Sequence, residues 1–230
     1  MEHSNQSHWI PLSDLMTGLM MIFMLIAASF MLRVEQTTTL VVKEYQETKN
    51  DLLLALQKEF AQNLKQWNAE LLGDMTIRFN DPNVLFDRGS TIIKPAFKNI
   101  IRDFIPRYIK LVTSEKYKVN IKEIRIEGHT SKKWSASTDE LTAYIKNMHL
   151  SQERAQAALE FILGLSSLNR NQFWIRQHLT ATGFSSSKAL VKEDSTDDDD
   201  RSQRVEFRVV TNADEKMQSI ANQIAKNSNG

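Results

Sequence analysis

A mixed α+β protein with a single N-terminal membrane-spanning helix is predicted by three observations. An uncharged apolar run extends from Leu15 to Leu32. A polar stretch without Pro or Gly follows it as far as Gly73, carrying apolar residues at spacings of three and four. Beyond Met75 the pattern turns to period-two alternation broken by helical segments. The expected divisions are a tail at 1–8, a transmembrane helix at 9–32, a helical stalk or linker at 33–72, a folded domain at 73–212 and a C-terminal tail at 213–230.

The run Leu15–Leu32 is 18 residues long, nearly enough at about 1.5 Å per residue to cross a hydrocarbon core. Trp9 to Asp14 complete the length, with Trp9 as an interfacial anchor and Arg33 ending the run. A cleaved signal peptide with Ala27–Ser29 as its small-residue site is the alternative. The first eight residues hold no Lys or Arg, and Ser13 and Asp14 fall where an apolar h-region should begin, so the span is preferred. Positive charge does not set the orientation: Arg33, Lys43 and Lys49 all follow the span and none precedes it.

Asp14 is the charged residue that needs a reason. It could lie among the headgroups and, with Ser13, cap the helix. It could instead face a partner helix as a carboxyl that changes charge within the membrane. Thr17 and Gly18 are one turn on along the same face, offering a hydroxyl and room for close helix approach. Met16, Met20, Met21 and Met24 read as packing or lipid-facing residues.

In the stalk, Leu53, Leu56, Phe60, Leu64, Trp67 and Leu71 form an apolar stripe. It could pair with its own copy as a coiled coil or pack on the domain that follows. Val34, Val41 and Tyr45 make a weaker stripe, and Thr37–Thr39 lower the helix expectation there. In the domain the pattern predicts strands at 75–79, 84–86, 118–127, 179–184 and 204–210. Helices are predicted at 95–112 and from about 138 to 165, the first with Pro95 in its first turn. The product is a small βαβαβ-type α+β fold with helices on one face of a mixed sheet.

Composition narrows the functions. A net charge of +1 leaves no global basic surface for nucleic acid. The absence of Cys excludes disulfides, cysteine catalysis, thiolate metal sites and a lipoprotein anchor. His3, His8, His149 and His178 have no metal-ligand spacing, and His129 reads as a turn residue. No nucleophile has a paired base, so no enzyme is expected. The acidic run Glu193–Asp200 lacks the glycine and spaced Glu of an EF-hand and reads as a solvated, mobile loop.

Five segments then resemble a family. In order they are "VLFDRGSTIIKP" (84–95), "IRIEGHTS" (124–131), "NMHLSQERAQAALEFIL" (147–163), "LTATGFSS" (179–186) and "DRSQRVEFRVV" (200–210). Together they resemble the OmpA-like peptidoglycan-binding domain over about residues 75 to 210. The resemblance implies a pocket for the peptidoglycan stem peptide, chiefly its diaminopimelate. The family's Arg falls on Arg154, whose guanidinium fork suits a ligand carboxylate. Asn147 and Leu150 hold the family's spacing before it, Thr130 lies in the Gly-His-Thr motif, and Arg204 matches the Arg of the last strand. Ser131 stands where the family usually has Asp, and Ser202 and Gln203 also depart from the pattern. For Arg154, a structural salt bridge is the competing reading.

An early Asp in a single span, a helical stalk and an OmpA-like domain together resemble the MotB-type stator subunit. There "DLMTGLMM" matches the ion-carrier motif at Asp14, Met16 and Thr17. This resemblance implies a cytoplasmic N-terminus, a periplasmic C-terminal domain and a homodimer. It also implies a surrounding ring of a MotA-like multi-span subunit. The lack of a basic N-terminal tail makes the chain look most like the ZorB branch of that superfamily, from the Zorya anti-phage defence system. Its ring partner would be of ZorA type. A flagellar MotB-like stator subunit or a passive wall anchor without ion flux is the alternative. No cofactor is expected, only a transported proton or sodium ion.

Overall fold

The computed structural model describes the backbone of residues 9–212 and the side chains of residues 13–33, 43 and 46–212. The expected tails at 1–8 and 213–230, and the side chains of Trp9, Val34, Val41 and Tyr45, lie outside the described residues. The chain divides between Glu47 and Thr48 into two units. Helix α1, Trp9–Gln66, contributes to both.

In the first unit the helix continues through Thr37–Thr39, so tertiary or helical context outweighs the modest propensity cost of three threonines. Ser13–Arg33 is long and apolar enough to cross a membrane, with a mean hydropathy of 2.3 and none of it buried within the protein.

The second unit is built on a five-stranded sheet. Its strands are β1 (Ala69–Leu71), β2 (Thr76–Phe79), β3 (Ile121–Gly128), β4 (Leu179–Gly183) and β5 (Val205–Thr211), in the order β1-β2-β5-β3-β4. β3 and β4 run parallel and the other pairs antiparallel, which gives the mixed sheet expected. The helices are α2 (Pro82–Leu85), α3 (Pro95–Val112), α4 (Glu140–Leu163), α5 (Gln172–His178) and α6 (Asp199–Ser202).

Three expectations change. The stripe assigned to the stalk is part of the domain: Leu52, Leu56 and Phe60 are fully buried in its core, with Leu53, Leu64 and Leu71 against it. Arg107 of α3 fixes this end of α1, bonding the Glu59 carboxylate and carbonyl, each at 2.8 Å, and covering the Phe60 ring. Packing on the domain, not a coiled coil, is therefore what the stripe does. Residues 84–86 are not a strand. Asp81 accepts the Asn83 amide at 2.9 Å and Pro82 opens a helical turn, so only Phe86 remains extended, bridged to Ile93. Residues 118–120 form a 3-10 turn, and the strand starts at Ile121.

Aromatic residues join the layers. Phe104 contacts Phe60, Phe79 and Phe207 edge to face at centroid distances of 5.2–5.5 Å, geometry worth about 0.5–1.5 kcal/mol per pair beyond burial. The opposite end depends on two glycines. Gly128 and Gly183 are register partners in β3 and β4. A Cβ on Gly128 would lie 2.1 Å from the Ser151 carbonyl oxygen, and one on Gly183 would lie 2.5 Å from the Gln152 amide nitrogen. Their bare backbones let α4 rest on the sheet one turn before Arg154.

Candidate functional site

A cleft of about 620 Å³ opens where β3 ends. Four short segments line it. Pro82 to Gly89 form one wall, and Thr130, Ser131, Lys133 and Trp134 follow β3. Asn147, Leu150 and Arg154 project from α4, and Asp199 to Val205 close the far side. Helical spacing puts the α4 residues on one face, and Asp139 starts that helix by accepting the Thr142 amide at 3.0 Å. The β3 loop is set by continued strand pairing: His129 N–H donates to the Arg204 carbonyl and Thr130 N–H to the Ser185 carbonyl.

All five residues expected from sequence to bind wall line this cleft, but their roles divide. Asn147 holds the loop, its Nδ2 donating to the Ser131 carbonyl at 3.0 Å. Ser131 Oγ makes only a long contact to the Lys133 carbonyl, 3.5 Å. Thr130 Oγ1 is buried without a hydrogen-bond partner among the described residues.

Arg204 is committed to the protein. Its Nε donates to Glu206 at 2.6 Å, and its other nitrogens donate to the Ser202 and Lys188 carbonyls. Glu206 also takes Arg78 Nε at 2.7 Å, and His129 Nε2 is 3.6 Å away. Burial would raise the Glu206 carboxyl, but His129 and Arg204 outweigh it and hold the group far below the usual carboxylate range. Glu127 is likewise lowered against its burial by His129 and Lys188. Among the described residues, Glu127, His129 and Glu206 form a group with metal-ligand distances. Arg78, Arg204 and Lys188 already neutralise its carboxylates, so a dication there would add buried positive charge.

Arg154 differs. It is 6 % exposed, yet has no ion pair among the described residues. Nε donates to the Ser90 carbonyl at 2.9 Å and Nη2 to the Asp87 carbonyl at 3.0 Å, while the guanidinium covers Phe86 at 4.9 Å. Nη1 makes no hydrogen bond among the described residues. Burial lowers the guanidinium to about 10, so it remains charged at neutral pH. Among the described residues the structural salt bridge considered from sequence is absent, and the arrangement can accept an anion.

The acidic run is not simply solvated. Asp194 caps its own turn through Thr196, Asp197 pairs with Lys132 at 2.6 Å, Asp198 caps α6 and Asp199 pairs with Lys133 at 2.8 Å. Lys133, Trp134, Asp199 and Asp200 are lining residues that sequence reasoning missed. The density of charge in 193–200 was the only signal for Asp199 and Asp200, and Lys133 and Trp134 had none.

In the span, Asp14 is exposed, and the Thr17 hydroxyl donates to the Ser13 carbonyl at 2.8 Å. A Cβ on Gly18 would meet no atom within 4 Å.

A model of the OmpA family matches residues 85–204, which contain most of the cleft. Zorya protein ZorB of Escherichia coli is 40% identical over 220 residues, covering 94% of this chain and 93% of the relative. A ZorB from a second Escherichia coli strain is 24% identical over 217 residues, 90% of this chain and 82% of the relative. Among solved structures, a MotB-like protein from Desulfovibrio vulgaris aligns at 18% identity and a TM-score of 0.48, covering 76% of this chain and 98% of that one. The families matched by sequence are not enzyme families. With a buried, acid-free arginine in an OmpA-family cleft and near full-length similarity to the first relative, this chain belongs to the ZorB family.

Proposed function

We propose that this chain is a wall-anchored, ion-conducting, stator-like subunit of an inner-membrane motor complex acting in Zorya anti-phage defence. ZorB-family membership and the OmpA-family domain support the coarser part, a stator-like, peptidoglycan-anchoring, single-pass membrane subunit. The observation that carries the anchoring role is Arg154, a buried cation facing the cleft without an acid partner. Its planar fork suits a carboxylate of the stem peptide.

The finer part rests on Asp14, the one carboxylate between Trp9 and Leu32. A charge at a membrane centre costs about 2.5–3.5 kcal/mol on insertion scales. A carboxyl that is buried only while neutral is a two-state element. In this reading the N-terminus is cytoplasmic and the cleft periplasmic, and a dimer stands within a ring of a ZorA-type, MotA-like subunit. A proton or sodium ion enters from the periplasm, neutralises Asp14 beside Thr17 and leaves to the cytoplasm. Each passage alters the contacts of Asp14 with the ring and turns it. The driving energy is about 2.3 kcal/mol per charge per 100 mV. The wall-bound domain keeps the dimer from turning with the ring.

The test is phage plating efficiency in cells carrying the gene with its native neighbours, comparing wild type with Asp14→Asn at equal membrane abundance. Loss of protection in the variant is expected. Full protection by Asp14→Asn would leave Asp14 as a helix cap and the chain as a passive anchor.

A further inference from the structure

The cleft has two halves of unequal charge bookkeeping. On the α4 wall, Arg154 has neutral carbonyl partners and an Nη1 without a hydrogen bond among the described residues. On the opposite wall, Asp199 is an acid with one cation, Lys133, whose Nζ lies 2.8 Å from Oδ2. That lysine side chain is 76% exposed, and its nitrogen has no second acceptor among the described residues. Asp199 Oδ1 is buried with no hydrogen bond among the described residues. The β3 loop between these walls offers the Ser131 and Thr130 hydroxyls and no carboxylate.

Building on the wall-binding reading, we infer that Asp199 supplies the acidic half of the recognition site. The Lys133 ammonium occupies the place of a ligand ammonium until one displaces it. The ligand class is then a zwitterionic side chain with a carboxylate for Arg154 and an ammonium for Asp199. Exposed lysine pairs are weak because the ammonium is well hydrated and the chain long, so displacement costs little. An incoming ammonium carries three donors and can serve the orphaned Oδ1 as well as Oδ2. Asp200 lines the same cleft but is exposed, so its carboxylate is hydrated and gains less.

Arg88, Lys133, Arg154 and Arg204 line the cleft together with Asp199 and Asp200, and Arg204 is already neutralised by Glu206. Without Arg204 the lining holds one more cation than acids, which favours a ligand of net negative charge that also carries an ammonium, as a stem-peptide fragment ending in diaminopimelate does.

The experiment is titration of the detergent-solubilised full chain with the tripeptide L-Ala-γ-D-Glu-meso-diaminopimelate. It is repeated with the same peptide acetylated on the diaminopimelate amine. Wild type is expected to bind the free amine about tenfold or more tightly than the acetylated form, the scale of a hydrogen bond to a charged group. Asp199→Asn should lose that preference while still binding the acetylated peptide like wild type. Lys133→Ala should tighten the free-amine peptide by removing its competitor, an outcome a purely structural Lys133–Asp199 pair would not give. The inference is overturned if Asp199→Asn keeps the amine preference, if Asp200→Asn removes it instead, or if Lys133→Ala weakens binding. Failure of wild type to bind either peptide overturns the wall-binding reading itself, and this inference with it.

Discussion

Arg154 and Arg204 line one cleft and are almost equally buried, at 6 % and 3 % exposure. Arg204 is neutralised by Glu206 and fastened to two carbonyls. Among the described residues Arg154 has carbonyls alone and one nitrogen without a partner. A buried cation with its counter-ion holds the protein together, whereas one without an acid stands ready for a ligand anion. Motif spacing marks both residues, and burial does not separate them. The location of the compensating charge does.

The largest expected effect falls on the compensated side. Arg204→Ala leaves Glu206 buried with less positive charge around it and should cost about 3–5 kcal/mol in chemical unfolding of the solubilised chain. An equal loss from Arg154→Ala would erase the distinction. Arg154 surrenders only two carbonyl hydrogen bonds and a ring contact, so about 1–2 kcal/mol is expected.

Gly128→Ala sharpens the comparison by moving α4 without touching either arginine. A Cβ 2.1 Å from the Ser151 carbonyl forces helix and sheet apart, at about 1–3 kcal/mol. The shift is felt one turn later at Arg154, so this variant should lose ligand affinity more than its stability loss explains. An unshifted affinity would show that the cleft tolerates movement of its arginine.

Acid titration probes the compensated side again. Glu206 and Glu127 have folded-state values below those of an unfolded glutamate, about 4.3. Their contribution is therefore present above that pH and fades as pH falls through the lower folded values. Glu206→Gln should flatten the loss of stability below about pH 4.3, read from unfolding midpoints across pH. The smallest effect belongs to the rim. Lys132→Ala breaks an exposed pair with Asp197 and should leave the unfolding midpoint unchanged within error.

Strong periodicity made much of the fold legible. The 95–112 helix begins and ends where the pattern and Pro95 place it, and β3 and β5 follow their alternations closely. The three residues of β1 carry too little pattern to be seen, and a Val-Leu-Phe triplet reads as a strand until Asp81 and Pro82 turn it into a helix. The stripe from Leu53 to Leu71 was visible, but periodicity does not say what covers a helix; here Phe104 and Arg107 of α3 lie on Phe60.

The cleft was half legible. Arg154 could be found by its motif, but the absence of an acid beside it is a property of space. Asp199 was hidden within a run of acids that local charge density marks as solvated. Its place opposite Lys133, 66 residues earlier, follows from β5 pairing beside β3.

Co-sedimentation of the solubilised full-length chain with purified peptidoglycan sacculi tests the central distinction most directly. Arg154→Ala is compared with wild type at matched folded fraction, established by thermal unfolding of each sample. The account predicts that wild type pellets with the sacculi and Arg154→Ala stays in the supernatant while remaining folded. Undiminished pelleting of Arg154→Ala would contradict it, because the uncompensated arginine would then have no anion to meet.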